Sequence, residues 1–256
     1  MASSIRVVIL GDHKVGKSAV TVRFLTKRFI GEYSSDIDLL YRSSIKGEDS
    51  VTDIEVLDTC TKPGQPVKVE ETRVSWADAF VVVYSILSRP SFHAARVLIQ
   101  GVNRIRTSAY MPIMLLGNKT DLDPRREVGV DEGHQVALEH GCQYFEVSAA
   151  ENVGITLAFQ AFLREARIVQ HQKTALLKRR RSSLASMSKR LGAMFGKNKD
   201  SSNSNHSNSS GSGGGYSGGI SGGYSGGHYT GGGGDGAGGR RGSIDVRDLR
   251  EMGKLM

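Results

Sequence analysis

An α/β domain with a mainly parallel sheet and helices on both faces is predicted by three observations. Short apolar, β-rich runs recur within residues 1–172, at RVVIL, DIEVLD, AFVVVYSI, PIMLLGN and QYFEVSA. Stretches with helical spacing lie between several of them. A glycine-rich turn, GDHKVGKS, stands between the first run and the first helical stretch. Strands that alternate with helices assemble into parallel sheets, and runs that are apolar throughout suit a sheet buried on both faces.

The first run, Ile5 to Leu10, reads as a buried strand, and SAVTVRFLTKRF places Val20, Phe24 and Leu25 near one face of a helix. Between them, Gly-x-x-x-x-Gly-Lys-Ser lets backbone approach a triphosphate, so that successive N–H groups and the helix N-terminus cradle phosphates. The candidate contacts are Gly11, Asp12, His13, Lys14, Val15, Gly16, Lys17, Ser18 and Ala19. Lys17 can reach the β- and γ-phosphates, and the Ser18 hydroxyl can bind Mg²⁺. In open parallel sheets ligands bind beyond the carboxyl ends of strands, so residues just after each apolar run are the ones to inspect. After DIEVL comes Asp58, which can hold Mg²⁺ through water. After PIMLLG come Asn118, Lys119 and Asp121. A carboxylate at Asp121 can accept from guanine N1–H and its exocyclic amine, a donor pair that adenine lacks; Lys119 can pack along the base and Asn118 can tie loops together. After QYFEV come Ser148, Ala149 and Ala150, where a backbone N–H can meet the guanine oxygen. The expected ligand is a guanine nucleotide, GTP or GDP, with Mg²⁺. Two helices are clearest, SRPSFHAARVLIQGVNRI and NVGITLAFQAFLREARIV; in the second, Ile155, Leu157, Phe159, Phe162 and Ile168 are expected to form a buried stripe that closes the domain.

Composition divides the 256 residues near position 173. Residues 1–172 carry 20 Lys+Arg against 21 Asp+Glu, whereas 173–256 carry 14 against 5, so the net charge of +8 belongs to the tail. The organisation expected is a nucleotide-binding domain over 1–172, a basic amphipathic segment over 173–199, a Ser/Asn/Gly-rich disordered linker over 200–243 and a short charged segment over 244–256. Two cysteines give no disulfide framework and MASSIRVV has no signal-peptide pattern, which points to a cytoplasmic chain with reduced thiols. The longest strongly apolar run falls short of the roughly 20 residues that span a bilayer, so no transmembrane segment is expected. Ala at position 2 and a C-terminus without cysteine provide no lipid-anchor motif.

These motifs together resemble the Ras superfamily of small GTPases over residues 5 to about 170. SAVTVRFLTKRFIGEY and WADAFVVVYSI look most like the branch containing Ras-like family members 11 and 12 and the Ras-related oestrogen-regulated growth inhibitor. The resemblance implies a P-loop NTPase fold, a Ras-like G domain with a six-stranded sheet, one strand antiparallel, and five helices. It implies that Phe29 flanks guanine and that Tyr33, Ser34, Ser35, Asp36, Ile37, Asp38, Leu39, Leu40 and Tyr41 form the first switch and the surface read by protein effectors or regulators. The second switch begins at Asp58.

The chain departs from the family at both switches. Where the family has a threonine that ligates Mg²⁺ there is Asp36, preceded by Ser35, and a one-residue slip would install Ser35 as the ligand instead. An aspartate there faces a triphosphate, and like charges repel unless Mg²⁺ neutralises both. In the second switch Thr61 and Lys62 replace a γ-phosphate-sensing glycine and a water-orienting glutamine, and Gln65 lies three residues on. Lys62 can stabilise transition-state charge but cannot take a proton from water while protonated. His13 and Lys14 are expected to obstruct an arginine finger, and Ala150 stands where the related motif often has lysine. A Ras-like regulator with weak hydrolysis, with Lys17 and Lys62 as the catalytic candidates and Gln65 able to serve only if the loop is remodelled, is therefore the leading reading. The alternative is a non-enzymatic pseudo-GTPase scaffold that acts through its basic tail.

Residues 173–199 hold nine Lys+Arg and no acid, with Leu184, Met187, Leu191, Met194 and Phe195 at helical steps. Such a segment suits an anionic membrane surface, here the inner leaflet of the plasma membrane, or calmodulin. A solubilising tail or a helix docked on the domain is the plainer reading. Ser182 and Ser183 in RRRSS, and Ser243 in RRGS, are candidate phosphorylation sites. Residues 211–242 contain 18 glycines in 32 positions; a flexible linker is expected there rather than a nucleic-acid-binding element. The ending IDVRDLREMGKL is read as a short helix.

Overall fold

The first apolar run folds as strand β1, Ile5–Gly11, with Ile5, Val7, Val8, Ile9 and Leu10 all buried. Its odd and even side chains enter different cores, as the two-residue period of a strand demands. A computed structural model describes residues 4–31, 33, 37–46, 51–106, 110–195 and 242–245, with side chains described through Arg179. The elements that follow β1 are α1 (Lys17–Thr26), β2 (Leu39–Lys46), β3 (Val51–Asp58), α2 (Glu71–Trp76) and β4 (Ala79–Ser85). After them come α3 (Arg89–Ile105), β5 (Ile113–Asn118), α4 (Val130–His140), β6 (Gln143–Val147), α5 (Ile155–Phe195) and β7 (Gly242–Asp245).

The sheet order is β6-β5-β4-β1-β3-β2-β7. Among the described strands only the β2–β3 pair is antiparallel; β1 is flanked by parallel β3 and β4, and all seven residues of β4 are buried. Val7 and Ile9 face a core completed by Val20 and Phe24 of α1 and by Phe159 and Phe162 of α5. Phe24 and Phe159 stack there with centroids 4.0 Å apart. Val8 and Leu10 face the opposite core, with Phe80 and Val82 of β4 and Phe92, Leu98 and Ile99 of α3. Helix α3 starts where its residues allow: the Ser88 side chain accepts from Ser91 N–H, and Pro90 occupies the first turn, where a missing N–H costs nothing.

Several sequence expectations need correction. The seventh strand was not anticipated: Gly242–Asp245 pairs parallel with β2, Leu39 opposite Gly242 and Arg42 opposite Asp245, where the linker and a helix from Ile244 had been expected. The buried stripe of α5 contains Ile155, Ala158, Phe159, Phe162, Leu163 and Ala166, whereas Leu157 and Ile168 are 66% and 52% exposed. Positions two residues from a buried one lie about 200° around a helix, so Leu157 cannot share the face of Ile155 and Phe159. The basic segment from residue 173 continues α5 without a break to Phe195, so the expected boundary at 172 falls inside one helix. The chain forms two compact units, Met1–Leu177 with Gly239–Met256, and Lys178–Gly238; the described part of the second is the end of α5. Among the described residues no helix is long and apolar enough to cross a membrane.

Candidate functional site

A cavity of about 720 Å³ opens at the carboxyl ends of β1, β3 and β5, the size class of a small-ligand site. Its floor is the turn between β1 and α1. Gly11 and Gly16 have φ of 153° and 96°; a Cβ on Gly11 would lie 2.3 Å from the Val83 carbonyl oxygen and one on Gly16 would lie 2.3 Å from Asn118 Nδ2. Glycine is therefore required by neighbouring protein as well as by any phosphate. His13, Lys14, Gly16, Lys17, Ser18 and Ala19 line the cavity. Gly11, Asp12 and Val15 do not: the carbonyls of Gly11 and Asp12 accept from Lys17 Nζ at 3.0 and 2.7 Å, and that of Val15 accepts from Asn118 Nδ2 at 3.0 Å.

Asp58 enters from the end of β3 and is 3% exposed. Burial pushes its carboxyl up to about 6; the Asp38 charge adds to the rise, while the Ser18 hydroxyl bond and the Lys17 ammonium oppose it. Its Oδ1 is buried without a hydrogen-bond partner. Burial lowers Lys17 from its ordinary value, against the pull of Asp58 and Asp12. An orphaned carboxylate oxygen beside a serine hydroxyl is a hard oxygen donor set that fits Mg²⁺, with the remaining positions left for water and phosphate.

At the opposite end of the cavity Asn118 joins three segments, donating to Val15 and accepting from Ala149 N–H at 3.2 Å. Lys119 Nζ donates to the Lys14 carbonyl at 2.9 Å, and its burial lowers the ammonium pKa. Asp121 accepts from Ser148 Oγ at 2.6 Å, so Ser148 orients a carboxylate that lines the cavity without lining it itself. Ala149, Ala150 and the 45% exposed Phe29 complete that end. The support is Arg23 of α1, which sequence reasoning missed: its guanidinium donates to the Ala149 and Ala150 carbonyls at 2.7 and 2.6 Å and lies 5.5 Å from the Phe29 ring. Gly31, Thr59, Cys60 and Leu122 also line the cavity and carry no motif that would have identified them.

The switch residues are distributed unevenly. Ser34, Ser35 and Asp36 lie outside the described residues. Ile37 lines the cavity, and the Tyr33 hydroxyl accepts from Ile30 N–H at 3.1 Å. Asp38 is held inward, accepting from Cys60 N–H at 2.8 Å and from Arg73 Nη2 at 3.0 Å, which joins the start of β2 to the segment after β3. Leu39 and Leu40 are half-buried, and Tyr41 belongs to the core at 3% exposure. Thr61 is fastened to the phosphate loop: its hydroxyl donates to the Gly11 carbonyl at 2.8 Å, and its own carbonyl accepts from His13 Nδ1 at 3.0 Å. Lys62 and Gln65 are exposed and outside the cavity lining. Ser182 and Ser183 fall where only the backbone of α5 is described, and Ser243 lies in the backbone of β7.

Comparison with known sequences agrees with this geometry. The profile of the Ras family matches residues 6–168. A Ras-related and estrogen-regulated growth inhibitor-like protein of Bos taurus is 38% identical over 205 residues, which cover 78% of this chain and 99% of that protein. GTP-binding protein Rit1 of Mus musculus is 33% identical over 196 residues, 77% of this chain and 89% of its own. Ras-like protein family member 12 of Danio rerio is 38% identical over 168 residues, 64% and 65% of the two chains.

Proposed function

The chain belongs to the Ras family, and from that premise we propose that it is a guanine-nucleotide-binding signalling regulator with slow GTP hydrolysis. One observation carries the slow turnover: Thr61 is engaged with the phosphate loop through both its hydroxyl and its carbonyl, while Lys62 and Gln65 stand outside the cavity. On this reading neither of those two side chains orients an attacking water.

The remaining residues act on charge and position. Lys17 exchanges the Gly11 and Asp12 carbonyls for β- and γ-phosphate oxygens, and the N-terminus of α1 faces the same oxygens. Ser18, with Asp58 through water, would hold Mg²⁺, which would supply neutralisation of phosphate charge. Asp121 selects guanine through paired acceptance, with Ser148 holding its orientation. His13 and Lys14 line the phosphate end and narrow the approach of an arginine from a partner protein.

Single-turnover hydrolysis of GTP by the full chain tests this reading. A rate at or below roughly 10⁻⁴ s⁻¹ is expected, rising about tenfold in Thr61→Gly/Lys62→Gln. An unsubstituted rate at or above the ordinary intrinsic level of such GTPases, roughly 3–5 × 10⁻⁴ s⁻¹, refutes it. The basic segment 173–199 adds peripheral association with anionic lipid, supported by its nine Lys+Arg and the unbroken helix to Phe195. Co-sedimentation with phosphatidylserine vesicles that falls with salt is the corresponding check.

A further inference from the structure

The outer edge of β2 is where the sheet would otherwise end. An edge strand presents a row of unpaired N–H and C=O groups that accepts another extended segment. Here the edge is covered over half its length, and by this chain itself: Leu39, Leu40, Tyr41 and Arg42 pair with Gly242, Ser243, Ile244 and Asp245, while Ser43–Lys46 have no register partner in β7. The covered half is the one that adjoins the site. It begins one residue after Asp38, which is tied to Cys60 and Arg73, and two after Ile37, which lines the cavity.

We propose that Gly242–Asp245 is an intrachain ligand of the β2 edge, and that it occupies in cis the surface a protein partner would use to add an extended strand beside the first switch segment. The sequence carries the means. Arg240-Arg241 and Asp248-Leu-Arg250-Glu251 bracket a short β-branched stretch with Ile244 and Val246, and the numbering places some two hundred residues between the two paired strands, so the contact is tertiary and separable from the fold of the sheet. A four-residue parallel pairing is a small ladder, weak enough to open without unfolding the domain. Ser243 sits within the paired backbone, opposite Leu40, so docking and modification at that serine draw on the same four residues.

The inference deepens the regulator reading by naming what covers its interaction surface, and its test does not depend on nucleotide turnover. Amide hydrogen exchange is measured on the full chain and on Ser243→Pro/Ile244→Pro, which removes a backbone donor of either parity from β7. Exchange in the peptide covering Leu39–Arg42 is expected to accelerate by roughly tenfold in the variant, with β1 and β5 unchanged as the control for an intact sheet. A fluorescein-labelled peptide with the sequence of residues 238–249 is expected to bind the variant at least about tenfold more tightly than the unsubstituted chain, because the edge is then free. Equal exchange at Leu39–Arg42 in the two proteins, or equal peptide binding, overturns the proposal. Those outcomes leave the hydrolysis reading untouched, which fails only in the single-turnover assay.

Discussion

Asp58→Asn is expected to stabilise the nucleotide-free protein while disabling its site. The carboxyl is almost wholly enclosed, one oxygen has no partner, and its pKa stands at about 6 against 3.8 for an ordinary aspartate. Because the folded value lies above the unfolded one, the folded protein keeps a proton that the unfolded chain gives up. Stability from this group is therefore full below about pH 3.8 and is lost as pH rises through about 6. At pH 7.5 the penalty is on the order of 3 kcal/mol, from a rise of about two pKa units. At pH 5 it is about half of that, since the folded carboxyl is then mostly protonated. Asparagine has nearly the same shape and no charge to bury. Urea denaturation of the EDTA-treated protein should show the variant more stable at pH 7.5, with the gap narrowing at pH 5. With Mg²⁺ and excess GDP the order should invert, because ligand bound to the native state stabilises only the protein that can bind it. A variant no more stable than the parent at pH 7.5, or a gain that does not shrink at pH 5, would refute the argument from burial.

Three further experiments probe separate parts of the structure. Gly16→Ala places a Cβ against Asn118 at φ 96° and should weaken binding of a fluorescent GDP analogue by at least about tenfold, with normal affinity contradicting the packing described. Phe159→Ala should lower unfolding free energy by about 3–5 kcal/mol and Leu157→Ala by less than about 0.5 kcal/mol, measured by urea titration; equal losses would mean that the helix face is misassigned. Burial pushes the Cys142 thiol up to about 11, so its alkylation should quicken by about tenfold per pH unit from pH 8 to 10 in the folded protein, and a rate that levels off by pH 9 would count against it.

What could be read from the sequence follows how local each signal is. β1, β4 and β5 are apolar almost throughout because both faces are covered, and such runs are visible without any partner. β2 shows no such run: Arg42, Ser44 and Lys46 reach solvent while Tyr41 is buried, so only the family resemblance implied it. β7 is four residues whose extended form depends on a strand two hundred positions earlier, and its one β-branched residue, Ile244, is too little to mark a strand before the partner is known. The site divides in the same way. Asp58 and Asn118 stand at strand ends, Asp121 just beyond one and Lys17 at the start of α1, all in short motifs. Arg23 and Ser148 act by holding other groups, and Thr61 is turned back onto the phosphate loop by a contact across fifty residues that its position in DTCT does not reveal.

The space above Gly16 belongs to Asn118. That makes the glycine of one motif and the asparagine of another, about a hundred positions apart, a single steric object. Removing the amide by Asn118→Ala would clear room for a methyl group at position 16 yet release Val15 and Ala149 together, so neither change compensates the other. A phosphate loop transplanted from this chain onto a foreign sheet would have to bring residue 118 and the end of its strand along, and drift at either position is constrained by the other.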